Sequence, residues 1–208
     1  MGLSLRIGRF GQYWGNDYNS SNYLSNDQRS VNAIYIYNYL SNKGWSYNSI
    51  CATLGNMEAE STLNPGCWES HNVGGGPGYG LVQWTPFTNY TSWVRLGDAS
   101  EIDNQLDRII YELENGLQYY PTDSYPETFS EYTKSNKSID YLTTAFLKNY
   151  ERAGVERLDE RISYANKWYD YLGGVTPTPP DGPNGTTKKR KGFNFVLFGR
   201  NRRNRIYG

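Results

Sequence analysis

The stretch Leu54-Gly55-Asn56-Met57-Glu58-Ala59-Glu60-Ser61-Thr62-Leu63-Asn64-Pro65-Gly66 reads as the last turns of a helix running into a loop, because Asn64-Pro65-Gly66 breaks any helical run. Glu60 stands at the junction. The field of the helix end disfavours an ionised carboxylate there, which suits a proton donor. Glu58 lies two positions earlier, a rotation of about 200° on a helix of about 3.6 residues per turn. The two cannot share a face, so with Glu60 in a cleft Glu58 is expected in solvent. Downstream, Gly78-Tyr79-Gly80-Leu81-Val82-Gln83-Trp84-Thr85 suggests a tight hairpin or loop followed by a short strand, Leu81 to Trp84, suited to form the opposite wall of a cleft. The glycines superficially resemble a dinucleotide loop. No hydrophobic strand precedes them and no helix opens after them, so phosphate binding is rejected.

Upstream, Ser25-Asn26-Asp27-Gln28 has capping-box spacing. Val31, Tyr35, Ile36, Tyr39 and Leu40 follow at helical intervals until Lys43-Gly44. Ser46 caps a second helix, with Ile50, Leu54 and Met57 on its buried face, and this helix delivers Glu60. Residues 1–24 show no sustained period and predict an irregular or extended arm that orders on a partner. On the other side, Asp103 is expected to cap a helix carrying Leu106, Ile109, Ile110, Leu113 and Leu117. A shorter helix follows around Glu127–Lys134, and Ser138 opens another that leads through Leu142, Ala145 and Phe146 to Tyr150-Glu151-Arg152. The last helix spans about Val155–Leu172, with a stripe of Val155, Leu158, Ile162, Ala165, Trp168 and Leu172 ending at Gly173-Gly174. These boundaries give an arm (1–24), a body (25–172), a Pro/Gly/Thr linker (173–187) and a basic aromatic tail (188–208).

The chain has 208 residues, enough for one well-buried domain with tails. Tyrosine alone supplies 20 residues, and a mean hydropathy of −0.77 leaves much aromatic surface near solvent. Rings with polar tips suit amphipathic ligands such as sugars, or replace leucine in a helical core. Net charge is zero, but residues 188–208 hold eight Lys/Arg and no acid, leaving 13 basic and 21 acidic residues elsewhere. Nucleic acid, an anionic wall polymer, a membrane surface or an acidic partner would each attract such a tail. No run is apolar enough to span a bilayer and the N-terminus lacks a signal-peptide core, so a soluble protein is expected. Two cysteines, Cys51 and Cys67, are favoured as free thiols, although pairing is geometrically conceivable. A single histidine, His71, leaves a zinc site poorly supplied, and no metal or cofactor is expected.

Three segments together resemble the sequence signatures of the lysozyme and soluble lytic transglycosylase superfamily. They are Gly55-Asn56-Met57-x-x-Glu60-Ser61-Thr62-x-Asn64-Pro65-Gly66, Gly80-Leu81-Val82-Gln83-Trp84-Thr85 and Tyr150-Glu151-Arg152. The likeness is closest to the phage tail lysozyme family, and it covers roughly Ser25 to Leu172. It implies an α+β, predominantly α, lysozyme-like fold of about six helices, with a small β-hairpin lining the cleft. It also implies cleavage of peptidoglycan glycan strands between N-acetylmuramic acid and N-acetylglucosamine, by a virion protein at the tail tip or knob; neither end of the chain is covered by the likeness, and the N-terminal arm and basic tail are expected to meet other tail proteins. Carried over by position, Glu60 becomes the catalytic acid, Gln83 the cleft-wall glutamine and Tyr150 the tyrosine that faces the acid, either orienting Glu60 through its hydroxyl or filling the core beneath it. A zinc-dependent peptidase domain, frequent in related tail proteins, is not supported.

Glycoside cleavage needs a proton on the leaving oxygen and help on the other face of the sugar. Gln83 offers hydrogen bonds, and Trp84, Trp68 and Tyr79 offer ring faces. Core packing is an equal expectation for Trp84. Glu69 is the nearest candidate for a second carboxylate. Without one, inverting hydrolysis by a positioned water and a lytic transglycosylase reaction both remain open, as does a structural protein that binds wall glycan without cutting it. Nucleic-acid contact by the tail is a lesser expectation.

Overall fold

The computed structural model describes residues 2–177 and Pro180. The tail 188–208 and most of the linker lie outside the described residues. Helix α1 (Asn26–Asn42) opens on the capping box: Ser25 Oγ accepts from the Gln28 amide, and Gln28 Oε1 accepts from the Ser25 amide at 2.9 Å. It stops at Lys43, and Gly44 turns the chain at φ +75°. Helix α2 (Tyr47–Ser61) starts one turn later, with Ser46 Oγ accepting from the Ser49 amide.

Helix α2 is buried on nearly every side, from Ser49 through Glu58 and again at Ser61, which makes it the axis of the domain. Ile50, Leu54 and Met57 are sealed from solvent, each worth about 1.5–3 kcal/mol of burial. Its main partner is α7 (Leu158–Leu172), with α6 (Ile139–Phe146), α1 and α5 (Phe129–Lys134) completing the shell. The α2–α7 crossing is close because position 55 is glycine. A Cβ there would lie 2.6 Å from both the Ala165 Cβ and the Arg161 carbonyl. Helices α3 (Thr88–Thr91) and α4 (Ile102–Glu114) flank the remaining side.

The architecture is predominantly helical with one small antiparallel sheet, as the sequence implied, but the sheet is made by other residues. β1 (Ser4–Gly8) pairs with β2 (Gly11–Gly15) in the segment expected to be a free arm. This hairpin packs on the body. Asn32 of α1 exchanges hydrogen bonds with the Trp14 backbone, both at 2.7 Å, and Tyr13 is buried. Arg6 reaches Asp17 at 2.5 Å and Glu101 at 3.0 Å. Leu81–Trp84, expected as a strand, forms turns instead, because Gly80 and Gln83 both have left-handed backbone, at φ +86° and +47°. Only isolated bridges join Trp68 to Tyr79 and Tyr79 to Trp84.

Two helix starts also differ. Glu101, not Asp103, occupies the N-cap of α4, and Asp103 sits in its first turn, accepting from the Arg9 amide at 2.9 Å and the Tyr35 hydroxyl at 2.6 Å. Helix α7 begins at Leu158, so Val155 is 76% exposed and outside the stripe. The buried residues of α7 are Arg161, Ala165, Trp168 and Leu172, with an arginine where the apolar stripe would continue.

Candidate active site

A cleft of about 960 Å³ opens between the C-terminal end of α2, the 67–85 loop and the start of α7. The end of α2 is fixed by its own residues. Ser61 Oγ donates to the Leu81 carbonyl at 3.0 Å, tying helix to loop. Thr62 and Leu63 then turn the chain with two left-handed residues, at φ 55° and 62°. Asn64 Nδ2 donates to Asn16 Oδ1 at 2.5 Å and to the Asn22 carbonyl at 2.6 Å, while its Oδ1 accepts from the Gly66 amide at 3.0 Å. The Asn-Pro-Gly break therefore anchors the N-terminal segment to the rim of the cleft.

Glu60 lines this cleft, its side chain 16% exposed, and Oε1 is ion-paired with Arg161 Nη2. Arg161 is itself 1% exposed and held by Asn56 Oδ1 at 3.2 Å and the Glu156 carbonyl at 2.8 Å. Glu58 is not in solvent. Its 200° offset turns it toward α1 and α7, where Arg29 bonds Oε1 at 2.9 Å and Lys167 bonds both oxygens at 2.6 Å. This buried carboxylate is compensated by two cations.

Across the cleft lie Trp68, Gln83 and Trp84. Trp68 is sealed among Tyr18, Tyr79 and Phe87, and its indole donates to the Tyr18 carbonyl at 2.7 Å. Trp84 stacks on Tyr90 with centroids 4.6 Å apart and donates to Glu112 Oε1 at 2.9 Å. Gln83 is half-buried. Its Nε2 donates to the Cys67 and Gly80 carbonyls at 3.0 and 2.8 Å, and among the described residues nothing donates to its Oε1. Glu69 stands exposed at the rim, in a short 3-10 turn.

Tyr79 is placed differently from the sequence expectation, and Tyr150 takes the core role rather than the orienting one. Both are fully buried, and neither lines the cleft. Tyr79 lies beneath Trp68, and Tyr150 does not reach Glu60: its hydroxyl donates to Glu112 Oε2, and its ring stacks on Phe146 at 4.5 Å. Glu112 thus joins Tyr150, Trp84 and Arg108 under the cleft floor. Burial first, then the charge of Glu112, pushes the Tyr150 phenol well up, so it stays a donor.

Sequence reasoning also passed over Glu151. It ends a π-helical turn, Leu147–Glu151, that continues α6 and lines the cleft. Burial above all, and next the charge of Glu60, hold its carboxyl well above the usual carboxylate range, against the opposing pull of Arg161 and Arg152. The arginine inside the α7 stripe was a legible signal. Glu151 had only its place beside Tyr150.

Both cysteines are free and buried. Burial pushes the Cys51 thiol up to about 12 and the Cys67 thiol up to about 11, so neither is a thiolate nucleophile at neutral pH. His71 is an exposed loop residue beside Tyr23 and Ser21. Among the described residues, no three His, Cys, Asp or Glu side chains gather as a metal ligand set, and no helix is long and apolar enough to cross a membrane.

The family model described as phage tail lysozyme matches residues 31–172. Morphogenesis protein 1 of Bacillus phage B103 is 44% identical over 164 residues, an alignment that takes in 77% of this chain. The chain matches 44% of the length of that relative.

Proposed function

The chain belongs to the phage tail lysozyme family, and from that premise we propose that it cuts the glycan strands of peptidoglycan as a muramidase, opening the host wall locally from the virion tail. One observation carries this reading. Glu60 is a partly exposed carboxyl group facing, across an open cleft, a neutral wall of Trp68, Gln83 and Trp84. A glycan strand laid along that wall meets the half-buried Gln83, whose free amide oxygen suits an N-acetyl N–H, on a loop that the buried Trp68 and Trp84 hold in shape. Glu60 then delivers a proton to the leaving glycosidic oxygen. Tyr79 and Tyr150 support the wall from beneath rather than touch sugar. Glu69, at the rim, serves as a polar contact to the strand. The basic tail serves assembly with other tail proteins.

The test is digestion of purified peptidoglycan with the fragments read by mass spectrometry. Glu60→Gln should lower glycan release by about 100-fold or more, the range of a lost general acid, at temperatures where circular dichroism shows the variant folded. Equal release by wild type and variant refutes the catalytic reading and leaves a wall-binding protein. Reducing ends among the products mark hydrolysis, whereas 1,6-anhydro ends mark transglycosylation.

A further inference from the structure

The indoles of the cleft wall are buried, and the ring face open to a sugar lies beyond it. A second cavity of about 540 Å³ adjoins the cleft and shares Asn89 and Gln118 with its lining. Tyr120 lines this cavity and is 55% exposed. The Arg152 guanidinium covers one face of its ring at 4.7 Å, and among the described residues no other ring or cation stacks on it. Asn89 and Gln118 stand where the two spaces meet, each with one end of its amide spent. Asn89 Nδ2 donates to the Thr85 carbonyl and Gln118 Nε2 to the Tyr150 carbonyl, both at 3.2 Å. Among the described residues nothing donates to Asn89 Oδ1 or Gln118 Oε1, as nothing donates to Gln83 Oε1 in the cleft wall. Gln118 also shares with Gln83 a left-handed backbone, at φ 64°, a conformation held against its cost only by the surrounding structure. Arg108, its side chain 13% exposed, lines the second cavity; its Nε donates to Glu112, and among the described residues no acceptor meets its Nη groups.

We propose that the second cavity is a glycan-holding subsite: the strand lying in the cleft runs on between Asn89 and Gln118 and seats an N-acetylated sugar on the ring of Tyr120. This deepens the glycan-cleaving reading and rests on it for the identity of the strand. A strand is continuous, so a sugar that leaves the cleft past Asn89 and Gln118 enters this cavity. Both sugars of the repeat carry an N-acetyl group, and the oxygens of Gln83, Asn89 and Gln118 are acceptors for its N–H along the way. Arg108 supplies donors for the acetyl carbonyl oxygen. The open face of Tyr120 takes the apolar face of the sugar ring. An apolar segment of a protein partner would instead leave these polar atoms covered and unpaired. The subsite grips the strand away from the reacting sugars, so it favours long strands with their N-acetyl groups intact.

The test is binding, measured by calorimetry on the full chain carrying Glu60→Gln so that no cutting intervenes. The probes are the trimer and the hexamer of β-1,4-linked N-acetylglucosamine. The hexamer should bind more tightly than the trimer, and adding Tyr120→Ala should shrink that advantage about 5–10-fold, the effect of one lost stacking contact. Tyr120→Phe keeps the ring and should keep the advantage. The corresponding glucosamine oligomers, which lack the acetyl groups, should show a smaller advantage than the acetylated ones. A hexamer that binds no more tightly than the trimer overturns the proposal, as does an advantage that survives Tyr120→Ala or the loss of the acetyl groups. If a free stem peptide of peptidoglycan shifts the Tyr120 ring signals in NMR spectra and the hexamer does not, the cavity belongs to the peptide and the proposal fails. Failure of the cleavage reading looks different. If wild type releases no glycan from peptidoglycan while the hexamer's advantage depends on Tyr120, the subsite stands and the cleavage reading falls. If wild type releases glycan and the advantage is independent of Tyr120, the subsite alone falls.

Discussion

On the α2–α7 side of the cleft the side chains are ionised and interlocked: Glu60 with Arg161, Glu58 with Arg29 and Lys167. On the loop side they are neutral, and Trp68, Gln83 and Trp84 spend their N–H groups on carbonyls and on Glu112. The first wall depends on charges brought together by helix packing across about a hundred residues of sequence. The second depends on a loop folded on itself. A reacting group needs an environment that tunes its proton, which buried charge supplies. A surface for sugar needs shape and rigidity, which stacked rings supply.

The charged wall is where the largest effect is expected. Arg161→Met keeps the length of the side chain but leaves Glu60 without its cation and Asn56 Oδ1 without its donor. Breaking a buried ion pair from one side costs about 3–5 kcal/mol, and Glu60 retains some solvent, so about 3 kcal/mol is the expected loss in denaturant unfolding. Glycan release should fall with it even at temperatures where the variant is folded. A variant as stable as wild type would mean that the pair is incidental and that the two walls are more alike than their contacts suggest.

Trp84→Phe probes the other wall. The ring still stacks on Tyr90, but Glu112 Oε1 loses the indole donor and keeps only Arg108 at 2.9 Å. Leaving a buried acceptor short of a donor costs about 1–3 kcal/mol. On activity the expected signature is a raised KM with kcat changed less, since a binding surface serves ground state and transition state alike. A fall in kcat at constant KM would move Trp84 into the chemistry and break the division between the walls.

How much of this could be read in advance follows the same line. Ser25, Ser46 and Ser138 announce their helices because a cap acts on residues two or three positions away. Glu60 was legible because a helix end and an Asn-Pro-Gly break are local. The N-terminal hairpin was not: its strands are five residues each, and what holds them is Asn32, Glu101 and Asp103 from other elements. Leu81–Trp84 misled in the opposite way, since β-prone residues lie on a backbone that Gly80 and Gln83 bend. Adding a Cβ at Gly80 would meet Gln105 Oε1 at 2.7 Å, the acceptor that fixes the Leu81 amide. Glu58 looked solvated because its two cations, Arg29 and Lys167, are distant in sequence. Arg161 stood out as an arginine inside an apolar stripe, but its partner, like the place of Glu151, appears only when α7 and α6 close on the end of α2.

The smallest effect concerns stability rather than rate, and its sign follows from burial. The folded-state pKa of Glu151 lies above its unfolded value, so the folded chain holds a proton that the unfolded chain releases. The resulting stabilisation is fully present below the unfolded carboxylate value of about 4.3. It is lost as pH rises toward the folded value. Glutamine carries no such slope. Glu151→Gln should therefore melt close to wild type near pH 4 and progressively above it toward neutral pH, by about 2–4 °C for each kcal/mol in a chain of this size. Gln83 on the loop wall carries no ionisable group, so Gln83→Ala should show no growth of its melting difference over the same range. If the Glu151→Gln curve runs parallel to wild type across pH, the carboxyl is not held protonated by burial. The contrast between a tuned wall and a fixed one would then rest on Glu60 and Arg161 alone.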